Sequence, residues 1–144
     1  MRLLTLTLIT FTLFFSSCSN NQENKNAVSL EGKWEYQLLG TLVENNEILE
    51  DYEHSELCSK DFMVLGTGGS YQNHLFEHNG IGCETIIENG NWQKSENHLI
   101  LSLNGEVLSA EIIRLEKHLL KLKISIFDEE ENMNLIFIYQ FKRV

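Results

Sequence analysis

Four runs between Trp34 and Phe141 carry apolar side chains with a period of two. In Leu120-Lys121-Leu122-Lys123-Ile124-Ser125-Ile126 every second side chain is aliphatic and each one between is polar. A chain with this pattern separates a greasy face from a wetted one only when it is extended, so the segment is expected as a half-buried strand. Leu135, Phe137, Tyr139 and Phe141 read the same way, as do Leu99, Leu101 and Leu103, and Trp34, Tyr36 and Leu38. The turn signals are Gly66-Thr67-Gly68-Gly69, Asn79-Gly80, Asn89-Gly90, Ser95-Glu96-Asn97 and Asn104-Gly105. Asn-Gly supplies the positive φ angles of two-residue hairpin turns, which makes consecutive strands antiparallel neighbours. Leu108, Ile112, Leu115 and Leu119 have helical spacing, but the β-branched residues and hairpin spacing around them favour strands with a turn at Glu116-Lys117-His118. The expectation is an all-β, antiparallel, up-and-down arrangement of about eight strands, which loses its two exposed edges by closing into a barrel.

Ahead of this pattern lies a different kind of segment. Leu3 to Phe15 holds Leu, Ile, Phe and Thr without a charge, and it follows Arg2, the only charged residue before Glu23. A positive start, an apolar stretch and then small residues is the order of an export signal. Thirteen residues are too few to cross a bilayer core as a helix, which takes about 20. Ser19 to Ser29, rich in Asn, reads as a flexible tether with a reach of roughly 20 Å. The folded domain is then expected over residues 30–144, about 115 residues around one core.

Phe15-Ser16-Ser17-Cys18 resembles the lipobox of bacterial lipoproteins, with Phe15 in place of the usual Leu. The resemblance implies a signal peptide over residues 1–17 and a lipidated Cys18 that ties the protein to a bacterial outer membrane. Ordinary secretion with cleavage near Ser17 or Cys18 is the other reading of the same segment. With Cys18 taken by lipid, the remaining two of the three cysteines, Cys58 and Cys83, form an even pair in a compartment that permits a disulfide.

Charge excludes one class of partner. Eleven Lys and Arg stand against twenty-one Asp and Glu, a formal net charge of −10, and such a surface repels nucleic-acid phosphates. Membrane contact is therefore expected through the lipid anchor. The acidic run Asp128-Glu129-Glu130-Glu131 lacks the alternating ligands and central Gly of a calcium loop, so a hairpin tip is expected there. No nucleophile, phosphate-loop or metalloprotease motif surrounds the five histidines. Cys58, His74, His78 and Cys83 have the right chemistry for zinc, but the cysteines lack paired close spacing. Neither an enzyme, a metal nor a cofactor is expected.

A second resemblance spans nearly all of residues 30–144. Leu30-Glu31-Gly32-Lys33-Trp34 opens the first strand with the Gly-x-Trp of lipocalins. Cys58-Ser59-Lys60-Asp61, Gly69-Ser70-Tyr71, Cys83 with Gly90-Asn91-Trp92, Ile112-Ile113-Arg114-Leu115 and the ending Phe141-Lys142-Arg143 are similar, in order and spacing, to the short lipocalin-like lipoproteins of Bacteroidetes. The resemblance implies a lipocalin-like (calycin) barrel of eight strands. In larger lipocalins an Arg of the last strand stacks on the first-strand Trp; Arg143 shares the strand parity of Phe141 and is expected over Trp34 as a cation–π contact. The last strand is expected to reach the end of the sequence, so the helix that packs on full-size lipocalins is not expected.

Two functions follow from different premises. A hollow barrel would hold a small apolar ligand against Trp34, Tyr36, Leu38, Leu65, Tyr71, Trp92, Leu101, Leu122, Phe137 and Tyr139. A barrel filled by its own side chains would instead present its loops, including a long acidic loop over residues 41–57, as an interaction or inhibitor module for an envelope protein.

Overall fold

The computed structural model describes residues 28–144, and the expected export signal, Cys18 and most of the expected tether lie outside them. Nine strands follow one another: β1 Gly32–Val43, β2 Asn46–Asp51, β3 Phe62–Leu65, β4 Ser70–His78, β5 Cys83–Ser95, β6 His98–Leu103, β7 Glu106–Leu115, β8 Leu119–Asp128 and β9 Met133–Arg143. Among the described residues a single 3-10 turn, Thr67–Gly69, interrupts them. Each strand pairs antiparallel with its neighbours, and β9 returns to pair with β1, so the sheet closes.

Nine strands make eight staves because β2 and β3 share one edge of β1. β2 pairs with Leu38–Val43 and β3 with Gly32–Glu35. Between them the Tyr52 N–H donates to the Gln37 carbonyl (2.9 Å) and the Tyr36 N–H donates to that of Asp61 (3.3 Å). One stave is thus interrupted by an excursion over residues 53–60, which the Cys58–Cys83 disulfide, with a Cα–Cα distance of 5.7 Å, ties to the start of β5. That bond also removes both sulfurs from any zinc set.

Two turn expectations are corrected. The segment over residues 41–57 is no single loop: β1 runs to Val43, Glu44 and Asn45 adopt positive φ (49° and 68°), and β2 returns along β1. Its many acids hide the strand pattern because both faces of this hairpin reach solvent at the barrel's end. Asn89-Gly90 is no turn either, but lies inside β5, with Gly90 paired to Tyr71 and Leu103. A Cβ at Gly90 would run into the Ser102 carbonyl, so the glycine serves the close approach of β5 and β6.

The closed end is solid. Trp34, Met63, Leu65, Leu99 and Leu120 are all but inaccessible, and Leu30, just before β1, completes the plug. The Trp34 indole N–H donates to the Leu30 carbonyl at 2.7 Å, and that of Trp92 to the Gly66 carbonyl at 2.9 Å. Burial of these large side chains, each contributing roughly 1.5–3 kcal/mol, concentrates the core at this end. The turns after β1, β4, β6 and β8 lie at the other end, which stays open.

Candidate functional site

Above the plug the barrel is hollow. A cavity of about 620 Å³ is lined by residues that include Tyr36, Tyr71, Asn73, Leu101, Leu122 and Tyr139, and it reaches the short β6–β7 turn at Asn104. That turn sets the height of the wall. β5 pairs with β6 only from Gly90 to Ser95, so its earlier residues, paired with β4, project past the rim. A second hollow, lined by Leu39, Thr41, Ile48, Glu50, Tyr52 and Phe137 among others, lies along the β1–β2 hairpin, and Tyr52 lines both spaces.

The ten expected interior residues divide four ways. Tyr36, Tyr71, Leu101, Leu122 and Tyr139 line the cavity. Trp34, Leu65 and Trp92 are spent on the closed end, and Phe137 lines the second hollow near the mouth. Leu38 is a correction, because it lines neither space. The register between β1 and β9 shifts between Tyr36 and Leu38, so Gln37 is an extra residue and Leu39, not Leu38, stands opposite Tyr139. A bulge of this kind reverses the inward parity of everything after it.

Reading alternation alone missed Tyr52, Met63, Asn73, Leu108, Ala110, Ile124 and Phe141, all of which line the cavity. The sequence signal for Phe141 and Ile124 was present in their strands. For Tyr52 it was not, since the residue sits where the stave breaks. Tyr36 stacks on Tyr52 with centroids 4.7 Å apart, meets Phe141 at 4.7 Å, and has Tyr139 edge-on at 6.1 Å. The Tyr36 hydroxyl donates to Asn73 Oδ1 (2.9 Å), and Asn73 Nδ2 donates to Glu88 Oε2 (2.9 Å). Burial raises the phenol of Tyr36 well above its usual range, and burial, then the carboxylate of Glu88, pushes Tyr71 up to about 12.

The broken stave is held by a polar clasp. The Asp61 N–H donates to His54 Nδ1 (3.0 Å), which leaves the ring proton on Nε2, where it donates to the Tyr36 carbonyl (2.9 Å). Asp61 Oδ1 accepts the Phe76 N–H at 2.7 Å. Lys60 pairs with Glu35 at 2.8 Å. The Cys-x-Lys-Asp stretch therefore closes the gap between β2 and β4 and shapes the cavity from outside. Among the described residues no group of three or more His, Cys, Asp or Glu is arranged to hold a metal ion, and no helix is long and apolar enough to cross a membrane. Asp128 Oδ1 accepts the N–H groups of Glu130 and Glu131, which makes the acidic run the β8–β9 hairpin tip.

Closed antiparallel topology, a plugged end with a buried first-strand Trp under a last-strand Arg, and an open hollow end together define a lipocalin-like barrel. Solved structures share it. A lipocalin-like protein from Bacteroides uniformis superposes with a TM-score of 0.55 at 14% identity, over 80% of this chain and 98% of that one. An uncharacterized protein from Bacteroides eggerthii gives 0.54 at 10% identity, over 81% and 100%. No family model matches the chain, and no curated protein matches it.

Proposed function

We propose that the protein binds a small molecule with an apolar body in the barrel, while held at the bacterial outer membrane by lipid on Cys18. The observation that carries the binding reading is the cavity of about 620 Å³ left open above a solid plug. Ligand pockets usually span roughly 300–1,000 Å³ with apolar walls and few polar groups. Eight staves leave an interior just wide enough either to fill or to hold one small ligand, and here the large side chains are spent at one end. The anchor is supported by the order of Arg2, the apolar stretch and Phe15-Ser16-Ser17-Cys18.

The test is uptake of N-phenyl-1-naphthylamine, a neutral dye that brightens in apolar surroundings. A saturable, one-to-one rise in emission, reversed by a long-chain alcohol, is expected; no rise at micromolar protein would defeat the reading. Loss of membrane association on Cys18→Ser tests the anchor separately.

A second reading, that the rim docks on an envelope protein, is favoured by the apolar side chains exposed there. Ile81 at the β4–β5 turn is 97% accessible, and Leu57, Val107 and Phe127 are exposed around the same mouth.

A further inference from the structure

We propose that the cavity selects an organic cation: an amine or quaternary ammonium group carried on an apolar body. This rests on the ligand-binding reading above and narrows it to one charge class.

Three observations converge. The chain has four tyrosines, and all of them, Tyr36, Tyr52, Tyr71 and Tyr139, line the cavity. Tyr36, Tyr52 and Tyr139 form one aromatic wall, with Tyr52 stacked on Tyr36 and Tyr139 edge-on to it. Aromatic faces attract cations through their quadrupole, and clustered rings are how proteins recognise quaternary ammonium groups.

The second observation is the sign of charge inside. Among the described residues Glu88 and Glu106 are the only charged side chains lining the cavity, and no Lys, Arg or His accompanies them. Glu88 is held in place by Asn73, which is itself fixed by the Tyr36 hydroxyl. An anionic headgroup would meet two carboxylates and no counter-charge, whereas a cation would find both carboxylates and π faces.

The third is the approach. The second hollow adds Glu50, Asp51 and Glu53, again with no cation among the described residues, and the β8–β9 tip contributes Asp128 to Glu131 at the same end. Lys33, Lys94, Lys117, Lys142 and Arg143 lie at the strand ends and turns of the plugged end. Lys60, Lys121 and Lys123 are paired with Glu35, Glu47 and Glu111. A field negative at the mouth and compensated at the far end concentrates cations at the entrance and turns anions away.

The phenols add no charge. Burial raises all four above the ordinary tyrosine range, so they stay protonated at neutral pH and the negative charge of the cavity is that of its carboxylates.

Calorimetric titration with three probes of one chain length decides the matter: decyltrimethylammonium, decanol and decanoate, each below its micellar concentration. The protein is kept at physiological ionic strength, where charges beyond about 8 Å are screened. The cation is expected to bind one-to-one and at least about tenfold tighter than decanol, with decanoate weakest. Glu88→Gln combined with Glu106→Gln is expected to weaken the cation several-fold more than decanol, the aromatic faces keeping the remainder of the preference. Glu129→Gln with Glu130→Gln, at the hairpin tip, should leave the preference intact. The inference is overturned if decanol or decanoate matches the cation, if the preference is undiminished by the Glu88 and Glu106 changes, or if the hairpin-tip variant diminishes it equally. Binding of decanol alone would spare the small-molecule reading; binding of none of the three would sink both.

Discussion

The guanidinium of Arg143 lies over the indole of Trp34, its central carbon 4.1 Å from the ring centroid. The two residues are also a register pair of β9 and β1, so the contact is made at the seam that closes the barrel. Arg143 donates to the carbonyls of Ser29, Glu31 and Lys117, which binds the approach to β1 and the β7–β8 turn to the seam. Gly32 has a φ of +143°, and a Cβ there would strike the same guanidinium. The Gly-x-Trp pair and the terminal Arg are therefore one device.

Arg143→Ala should remove both the cation–π contact, about 0.5–2 kcal/mol, and the donors of three carbonyls. A loss of roughly 2–4 kcal/mol in denaturant unfolding is expected, with a red shift of indole emission as water reaches Trp34. Arg143→Lys should recover less than half, since an ammonium cannot lie flat on the ring and keep the fork of donors. Unchanged emission and stability in Arg143→Ala would show that the contact contributes nothing.

Asp61 is buried and spans the break in the wall, its Oδ1 accepting the Phe76 N–H of β4. Asp61→Ala leaves that N–H without its charged acceptor, which costs about 1.5–3 kcal/mol. Asp61→Asn keeps a neutral acceptor and should recover about half. Hydrogen exchange checks the mechanism: the Phe76 amide should lose protection in the Ala variant, while the Leu99 and Leu120 amides at the plug keep theirs.

The closing Trp–Arg pair was readable in the chain because it depends on strand parity near two strand ends, where no irregularity intervenes. Leu38 was misread for the opposite reason: Gln37 is a bulge, and a period-two pattern carries no mark of an inserted residue. Asn89-Gly90 has the letters of a turn, yet β5 runs through it, since the glycine is there for the Ser102 carbonyl and not for a chain reversal. Tyr52 was invisible because the stave it belongs to breaks one residue later, leaving no alternating run. What could be read was the part of the fold built from regular pairing; what could not was the set of places where the barrel departs from regularity, and the mouth of the cavity is made from those.

Alkaline pH should weaken the fold through the cavity phenols. Burial lifts Tyr36, Tyr52, Tyr71 and Tyr139 above their ordinary value, Tyr71 to about 12, whereas an unfolded tyrosine titrates near about 10. A group that holds its proton more tightly when folded contributes its full share of stability below the unfolded value. That share is lost as pH climbs through the folded one. Stability should thus be flat in this respect up to about pH 10 and fall steadily toward pH 12. Tyrosinate absorbance should lag behind that of free tyrosine and then rise in step with unfolding. Ordinary titration of all four phenols in the folded protein would contradict their burial around the cavity.

The plugged and hollow halves should respond in opposite ways to changes of volume. Leu99 is wholly inaccessible in the plug, so Leu99→Ala opens a void among side chains that cannot collapse into it, at a cost of about 2–5 kcal/mol. Leu108 lines the cavity with Val107 and Ile124 and is only half-buried. Growth there enters open space, so Leu108→Trp should change stability by no more than about 1 kcal/mol, against the penalty of about 1–3 kcal/mol for overpacking a full core. The same variant should abolish uptake of N-phenyl-1-naphthylamine, since an indole ring would occupy the cavity. Thermal unfolding and dye titration of the two variants separate the cases. A large destabilisation by Leu108→Trp would mean that the barrel is filled on both sides of Tyr36 and that no ligand space exists.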